Sequence, residues 1–499
     1  MIYNVLNQPF IKKFKDGEYF YIYDVNTNQI VEVDKSVYDI IDEYEDDNAD
    51  CLESKYKKDY HISDLRRSIE KIRNARIDHG LFSNYRPKRV TLGIRTADEV
   101  KKLHENGIIQ IILQLTKRCN LKCKYCYTSG KYSNFGASHS TMDKDTCLKA
   151  VDFFCERSSD TENLFISFYG GEPLLRFDLI KETVEFVKKK IAKKKYNFNL
   201  TTNGTLLNNE IIEFLIENDI RITVSIDGPE KINNRYRVFR NGKGTFNRIM
   251  KNLKFLRTYN KDFFSRKVAI RSVLSPPFYN INDILDFFSF DNTMIEIKGS
   301  MRSSLVSTRW TSFIEDFGLE ESIKQFSNVE ERFVERIKLS ILHNSIHNLT
   351  IENRRVYLIL SNLARRPIDR LYEYVHPLGA CHIGLRRLFV STTGDFYICE
   401  RGERDYKIGC IDNGFDYERI AYYYRKFEEV LEDCRDCWAI HHCERCWAAI
   451  GNLEEFSGKK KEQFCSYSKK TIEKAFKVYT QLLRENPDSL KVFKDVLIA

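Results

Sequence analysis

From residue 107 to residue 299 the chain repeats one alternation: a short apolar, β-branched run, a turn, then an amphipathic helical stretch. The runs are GIIQIILQL, NLFISFYGG, YNFNLTTNG, RITVSIDG, KVAIRSVLS and TMIEIKG. Between them lie stretches such as DKDTCLKAVDFFCERS, opened by Asp143, and FDLIKETVEFVKKKI. Strands separated by helices pair in parallel through crossover connections. Six such units predict an α/β fold, a partial (β/α)6 barrel of the TIM type that stays open because closure takes eight units. Folds of this kind place their chemistry at the C-terminal ends of strands. Every motif discussed below in this region falls there.

A chain of 499 residues exceeds one compact core, so two to four domains are expected. Residues 1–85 read as a small module. EYFYIYDV and QIVEVD are strand-like around the turn signal NTNQ, and SVYDIIDEYE and ISDLRRSIEKIRNARIDHGLF follow as helices, the latter capped by Ser63 or Asp64. Three short strands plus helices resemble a winged helix-turn-helix. After the linker SNYRPKRV come the βα region at 107–300, a helical connector without strand signals at 301–375, and a cysteine-dense domain at 376–470. A C-terminal helix closes the chain at 471–499, its periodic pattern starting at about 468.

Composition narrows the class. An apolar content of 42% with 13% aromatics fits globular folding. The charge of +9 is spread over 80 basic and 71 acidic residues, a weak bias without the concentrated basic stripe that nucleic acid requires. The run KKKIAKKK at 188–195 sits at a helix end, where lysines suit the dipole. The first twenty residues lack a signal-peptide pattern, and the longest apolar stretches, such as GIIQIIL, are far short of a membrane span. A cytoplasmic protein with no membrane or nucleic-acid partner is expected. In a reducing compartment, clustered members of its 14 cysteines read as metal or cluster ligands rather than disulfides.

Cys119, Cys123 and Cys126 follow the first run at spacing C-x3-C-x2-C, with no fourth cysteine within the next twenty residues. Structural zinc wants four closed ligands. Cys147 and Cys155, eight apart on a helical stretch, read as small core residues. A [4Fe–4S] cluster held by three thiolates leaves one iron free for another ligand. CNLKCKYCY resembles the defining motif of the radical S-adenosylmethionine (SAM) superfamily. The resemblance continues through YGGEPLL at 169–175, TTNG at 201–204 and SIDGPEKINNRYR at 225–237.

That resemblance implies that the free iron chelates SAM, whose reductive cleavage yields a 5′-deoxyadenosyl radical. It further implies that Gly171, beside Gly170, allows close backbone approach and that Glu172 accepts the SAM ammonium. Asn203 joins the SAM-binding residues, Tyr125 lies near the adenine, Ser225 meets the ribose, and Arg237, with Arg235 as rival, pairs with the carboxylate.

Further on, C-x12-G-x4-C at 381–399 precedes CRDCWAIHHCERC and Cys465. This is similar to the SPASM extension of peptide-modifying radical SAM enzymes, with two rather than three residues between Cys443 and Cys446. The similarity implies two auxiliary [4Fe–4S] clusters, three in all. Cys434, Cys437, Cys443 and Cys465 would hold one; Cys381, Cys399 and Cys446 would hold the other, closed by Cys410 or left open to a substrate thiolate. Paired zinc ribbons are the alternative for such C-x2-C pairs, and His441 and His442 read as structural beside so many thiols. Glu400 is a candidate base because it follows Cys399.

Taken together, the resemblance implies a thioether-forming maturase of a ribosomally made precursor peptide, of sactipeptide or ranthipeptide type. The N-terminal module would bind the peptide's leader along a sheet edge, and a flavodoxin or ferredoxin would donate electrons. Two rivals remain: a sulfatase-maturing type that oxidises Cys or Ser to formylglycine, and a non-catalytic metal-binding winged-helix regulator.

Overall fold

The computed structural model describes residues 8–45, 48–126, 139–191, 194–277, 281–297, 301–306, 313, 317, 319–345, 354–368, 370–402 and 405–493. The chain divides into two compact units. One comprises Met1–Arg95, Arg355–Ala380 and Tyr422–Ala499; the other comprises Thr96–Arg354 and Cys381–Ala421.

In the first unit, β1 (Ile11–Asp16), β2 (Tyr19–Asp24) and β3 (Gln29–Val33) form an antiparallel meander with β2 in the centre. Ile22 from the sheet packs with Val37, Ile40, Leu52, Leu65, Ile69 and Ile72 from the helices Lys35–Ile40, Ala49–Tyr56 and Ile62–His79. The last of these helices has His61 at its N-cap and no side-chain cap, so neither Ser63 nor Asp64 plays the expected part; the Ser63 hydroxyl is engaged with His61 Nδ1 instead. The C-terminal helix is longer than its sequence pattern, running Gly458–Glu485. Its Phe476 packs on Phe14 and Tyr23, and its Arg484 ion-pairs with Asp16. A two-stranded parallel pair, β4 (Arg89–Val90) with β11 (Tyr374–Val375), completes this unit's strands among the described residues.

The second unit holds a ten-stranded sheet. Five of the expected runs form β5 (Gln110–Thr116), β6 (Asn163–Gly170), β7 (Lys195–Thr202), β8 (Arg221–Ser225) and β9 (Val268–Leu274), all parallel and in chain order. The sixth expectation fails. The described part of TMIEIKG makes a single 3-10 turn at Met294–Glu296: Thr293, Met294 and Ile297 are buried while Ile295 faces solvent, which is not a strand's alternation. The sixth strand is β10 (Met301–Leu305), in the stretch expected to be helical. Beyond β5 the sheet continues with β12 (Leu388–Val390), parallel to it, then antiparallel β13 (Asp395–Tyr397), β14 (Lys407–Cys410) and β15 (Gly414–Phe415).

Side chains alternate across a strand, and the two faces of this sheet differ sharply. Ile111, Leu113, Leu115, Ile166, Phe168, Leu200, Ile222, Val224 and Ile270 are all nearly inaccessible. The intervening positions carry Gln110, Gln114, Ser167, Tyr169, Asn199, Thr223, Ser225 and Arg271. Register sets these polar positions beside one another: Gln114 opposite Tyr169, Ser167 opposite Asn199, and Ser225 opposite Arg271. Asp143 caps the helix Lys144–Glu156 as expected, accepting from the Thr146 N–H at 2.8 Å. Among the described residues no helix is long and apolar enough to cross a membrane.

Candidate active site

The site is built at the C-terminal ends of β5 to β8. As β5 ends, its chain is held against the end of β6: Gly171 N–H donates to Thr116 O at 2.7 Å and Glu172 N–H to Arg118 O at 2.9 Å. This approach is why both glycines are needed. A Cβ on Gly170 would stand 2.2 Å from Thr116 O, and one on Gly171 would stand 2.2 Å from Arg118 O. Gly170 also has φ +139°, where a side chain is strained. The clamp fixes the start of the loop that carries Cys119, Cys123 and Cys126.

These three cysteines sit in an apolar envelope of Leu121, Tyr125, Tyr236, Val306 and Phe313. Burial pushes the Cys119 thiol up to about 12 and that of Cys123 up to about 11. Both therefore keep their protons at neutral pH until a metal displaces them. The Leu121 N–H donates to Cys119 Sγ at 3.4 Å. Asn203 Nδ2 donates to Asn120 Oδ1 at 2.8 Å and lies 3.8 Å from the same sulfur. Asn120 Nδ2 in turn donates to Thr205 Oγ1 at 2.9 Å, so the TTNG turn and the first cysteine are braced as one piece.

Glu172 is fully buried. One oxygen accepts from the Thr202 hydroxyl at 2.7 Å and the Leu174 N–H at 3.2 Å; the other accepts from the Asn203 N–H at 2.7 Å. Burial nonetheless outweighs these donors and raises its carboxyl to about 6. A buried carboxylate with neutral donors and no paired cation is a ready partner for an incoming ammonium group.

Tyr125 and Arg237 meet. The Tyr125 hydroxyl donates to Asp227 Oδ2 at 2.5 Å and accepts from Arg237 Nη1 at 2.8 Å. Asp227 Oδ1 accepts from the Val273 N–H at 3.0 Å. All three side chains are buried, and Arg237 Nε has no hydrogen-bond partner. Sequence reasoning passed over Asp227; its signal was a lone carboxylate two residues beyond the end of a buried strand. Arg235 is only half-buried and faces Pro277 O at 3.5 Å. Ser225 ends β8, half-buried, and its hydroxyl has no hydrogen-bond partner among the described residues.

The later cysteines fall in both units. In the first, Cys434, Cys437, Cys443 and Cys465 line one cavity, with Arg445, Lys461, Lys469 and otherwise mainly apolar side chains. Burial raises the Cys437 and Cys465 thiols. Cys446 precedes the short helix Trp447–Ile450. His442 packs between Tyr23 and Phe476, pushed down to about 3 by burial, and His441 Nε2 donates to Val25 O at 2.9 Å. In the second unit, Cys381 and Cys399 both lie in the field of Arg387, whose Nη1 bonds Glu400 at 3.0 Å. Glu400 is thus an ion-paired side chain. Cys410 pairs with Asp395 in the β13–β14 ladder, whereas Cys399 lies past the other end of β13. Strand geometry ends at Tyr397, and Cys399 lies in the bend that follows. Among the described residues, no three His, Cys, Asp or Glu groups converge on a point that would hold a single metal ion. Four of the thiols line one cavity instead.

Parallel strands end here in buried thiols, beside a buried carboxylate and a guanidinium whose Nε is unpartnered. Residues 113–288 match the Radical SAM superfamily model, a family that implies a [4Fe–4S] cluster and SAM. Part of it is 32% identical to a cysteine-type anaerobic sulfatase-maturating enzyme of Clostridium novyi, over 32% of this chain and 42% of that protein. It is 24% identical to the radical SAM cyclopropyl synthase TigE of Paramaledivibacter caminithermalis, over 73% of this chain and 71% of that protein. The fold is similar to that of native anSMEcpe with bound AdoMet, with a TM-score of 0.58 and 18% identity, covering 78% of this chain and 100% of that one. The same protein with AdoMet and the Cp18Cys peptide matches at a TM-score of 0.56 and 17% identity, covering 78% of this chain and 99% of that one.

Proposed function

We propose that this chain is a radical SAM/SPASM maturase that joins a cysteine sulfur to a carbon within a ribosomally made precursor peptide. One observation carries the reading: apart from the SAM motifs, four further thiols, Cys434, Cys437, Cys443 and Cys465, enclose one cavity. Forming a thioether from a thiol and a C–H bond removes two electrons; hydrogen-atom abstraction accounts for one, and a second redox group would take the other as the C–S bond closes and the thiol proton leaves. The relatives act in the same direction, since two of them are maturases or synthases of the same superfamily.

When bound, the cluster and SAM supply the hydrogen-abstracting radical. The chain's own residues do the rest. Cys119, Cys123 and Cys126 each give a thiolate and leave one iron free. Glu172 receives the SAM ammonium, and Asn203 keeps the turn beside it in place. Arg237 offers its unsatisfied Nε to the carboxylate, while Asp227 and Tyr125 hold the guanidinium still. Ser225, with a free hydroxyl on the same rim, meets the ribose. Cys381 and Cys399 ligate a further auxiliary cluster, closed by Cys410 or left open to a substrate thiolate. The open edge of β3 takes the leader of the precursor as an added strand. A flavodoxin or ferredoxin is the reductant.

Formylglycine formation on Cys or Ser is the second reading, favoured by the sulfatase-maturating relative. Mass spectrometry of a cysteine-containing precursor peptide after anaerobic reaction decides between them. A thioether product loses two hydrogens per link and resists alkylation at the linked cysteine. An aldehyde, with the remaining cysteines freely alkylated, overturns the thioether reading.

A further inference from the structure

Arg445 is the largest fully buried side chain among the described residues, 1% exposed, and it lines the cavity of Cys434, Cys437, Cys443 and Cys465. Its Nη1 donates to the carbonyls of Ile440 at 3.3 Å and Cys443 at 3.1 Å, and its Nε is buried without a partner. No carboxylate pairs with it among the described residues. Asp433, an exposed residue, is engaged with the cavity's Lys461 at 2.8 Å. A guanidinium keeps its charge at any ordinary pH, so it cannot escape burial by losing a proton. Carbonyl dipoles soften the cost of burial but do not neutralise the charge. The site calls for an anion, and the thiol-lined cavity is where one would sit. Lys469, on the helix Gly458–Glu485, adds a second positive charge to the same wall.

We propose that Arg445 is the fixed counter-charge of the cluster held by these four cysteines and raises its reduction potential. The inference rests on the reading that the cavity holds a [4Fe–4S] cluster. With four thiolates such a cluster carries a charge of about −2 when oxidised and about −3 after taking up one electron. A positive charge at short range in a low-dielectric wall stabilises the second state more than the first. The half-reaction adds one electron and moves no proton, since the guanidinium does not titrate. Arg445 thereby fits this cluster to accept the electron released when a substrate radical closes to product, rather than to reduce SAM.

The test uses the full-length protein, reconstituted with iron and sulfide, in a Cys119→Ala/Cys123→Ala/Cys126→Ala background that removes the SAM-site signal. Cys434→Ala then identifies which paramagnetic-resonance signal belongs to this cavity. In a dithionite titration with mediators, Arg445→Gln should move that signal's midpoint to lower potential, and Arg445→Lys should restore it toward the parent. An unchanged midpoint in Arg445→Gln with full iron content overturns the proposal. Zinc in place of iron in the parent protein removes the underlying reading and the proposal with it. If Arg445→Gln takes up no cluster, thermal unfolding of the metal-free proteins at pH 6 decides, because free thiols are protonated there. The metal-free variant should then unfold at a higher temperature than the metal-free parent, having shed an uncompensated buried charge. A lower temperature makes Arg445 a peg for the loop carbonyls and overturns the proposal.

Discussion

Glu172 illustrates how a single residue can be held ready by its surroundings. Its carboxyl lies at about 6 in the folded chain against an ordinary 4.5, with burial the leading cause. A raised carboxyl favours the folded state below pH 4.5, and that contribution fades as the pH climbs to about 6. Above that, keeping the group ionised costs about 2 kcal/mol. A bound ammonium relieves this cost only when the carboxylate is charged. SAM affinity, measured by anaerobic calorimetry, should therefore fall between pH 7 and pH 5 in the parent protein. In Glu172→Gln it should be weaker at pH 7 and flat across the range; parallel profiles would exclude Glu172 from SAM binding. Tyr125 makes a second case. Tyr125→Phe strips the shared hydroxyl from Arg237 and Asp227 and leaves both buried groups short of a partner. Denaturant unfolding should register a loss of about 1–3 kcal/mol, and a change near zero would mean that water replaces the hydroxyl without cost.

At the scale of elements, strands were legible where apolar, β-branched runs coincide with burial on the helix-facing side of the sheet, as in β5 to β9. TMIEIKG shared that composition, but its buried residues Thr293, Met294 and Ile297 do not alternate, and a seven-residue run is too short for composition alone to separate a turn from a strand. The strand β10, MRSSL, was hidden because it is short and polar. The Cys119–Cys126 and Gly170–Gly171 motifs stood out because cysteine and glycine spacings survive without tertiary information. Asp227 could not, since its role comes from the meeting of β8 with the loop after β5. The N-terminal module is likewise more embedded than its sequence implies. Phe14 and Tyr23 pack on Phe476, and Asp16 ion-pairs with Arg484, so deleting residues 1–85 would expose the core of the first unit. Leader binding is better tested with the intact chain. The strand β3 has β2 on one side and no strand on the other among the described residues. Hydrogen exchange on adding a cognate precursor peptide should slow at the amides of β3, since an added strand would bond its free edge. Unchanged exchange there, under saturating peptide, would rule out that edge as the leader site.

For the molecule as a whole, the distribution of thiols makes a prediction about metal content. Cys119, Cys123 and Cys126 lie in the second unit, in an apolar envelope braced by Asn203 and by the Gly170–Gly171 clamp. Cys434, Cys437, Cys443 and Cys465 lie in the first unit, around a cavity with its own walls. No residue is shared between the two sets, so removing one should leave the other able to fill. If the chain holds three cubane clusters, a Cys119→Ala/Cys123→Ala/Cys126→Ala protein should retain roughly two-thirds of its iron and sulfide. It should lose all reductive cleavage of SAM, because the one iron open to SAM belongs to the missing cluster. The thiols at Cys119 and Cys123 keep their protons until metal binds, so filling that site in the parent also releases protons that the variant does not. Iron analysis, SAM cleavage to 5′-deoxyadenosine and proton release during reconstitution are three separate readings of one substitution. Complete loss of iron from a variant that still unfolds cooperatively would mean that the chain holds a single cluster and that the cavity of the first unit is not a cluster site. Retained cleavage would place the SAM-binding iron elsewhere. Iron reduced by about one third, with cleavage abolished, would leave a reducible store that takes no part in making the radical, as an electron-accepting role requires.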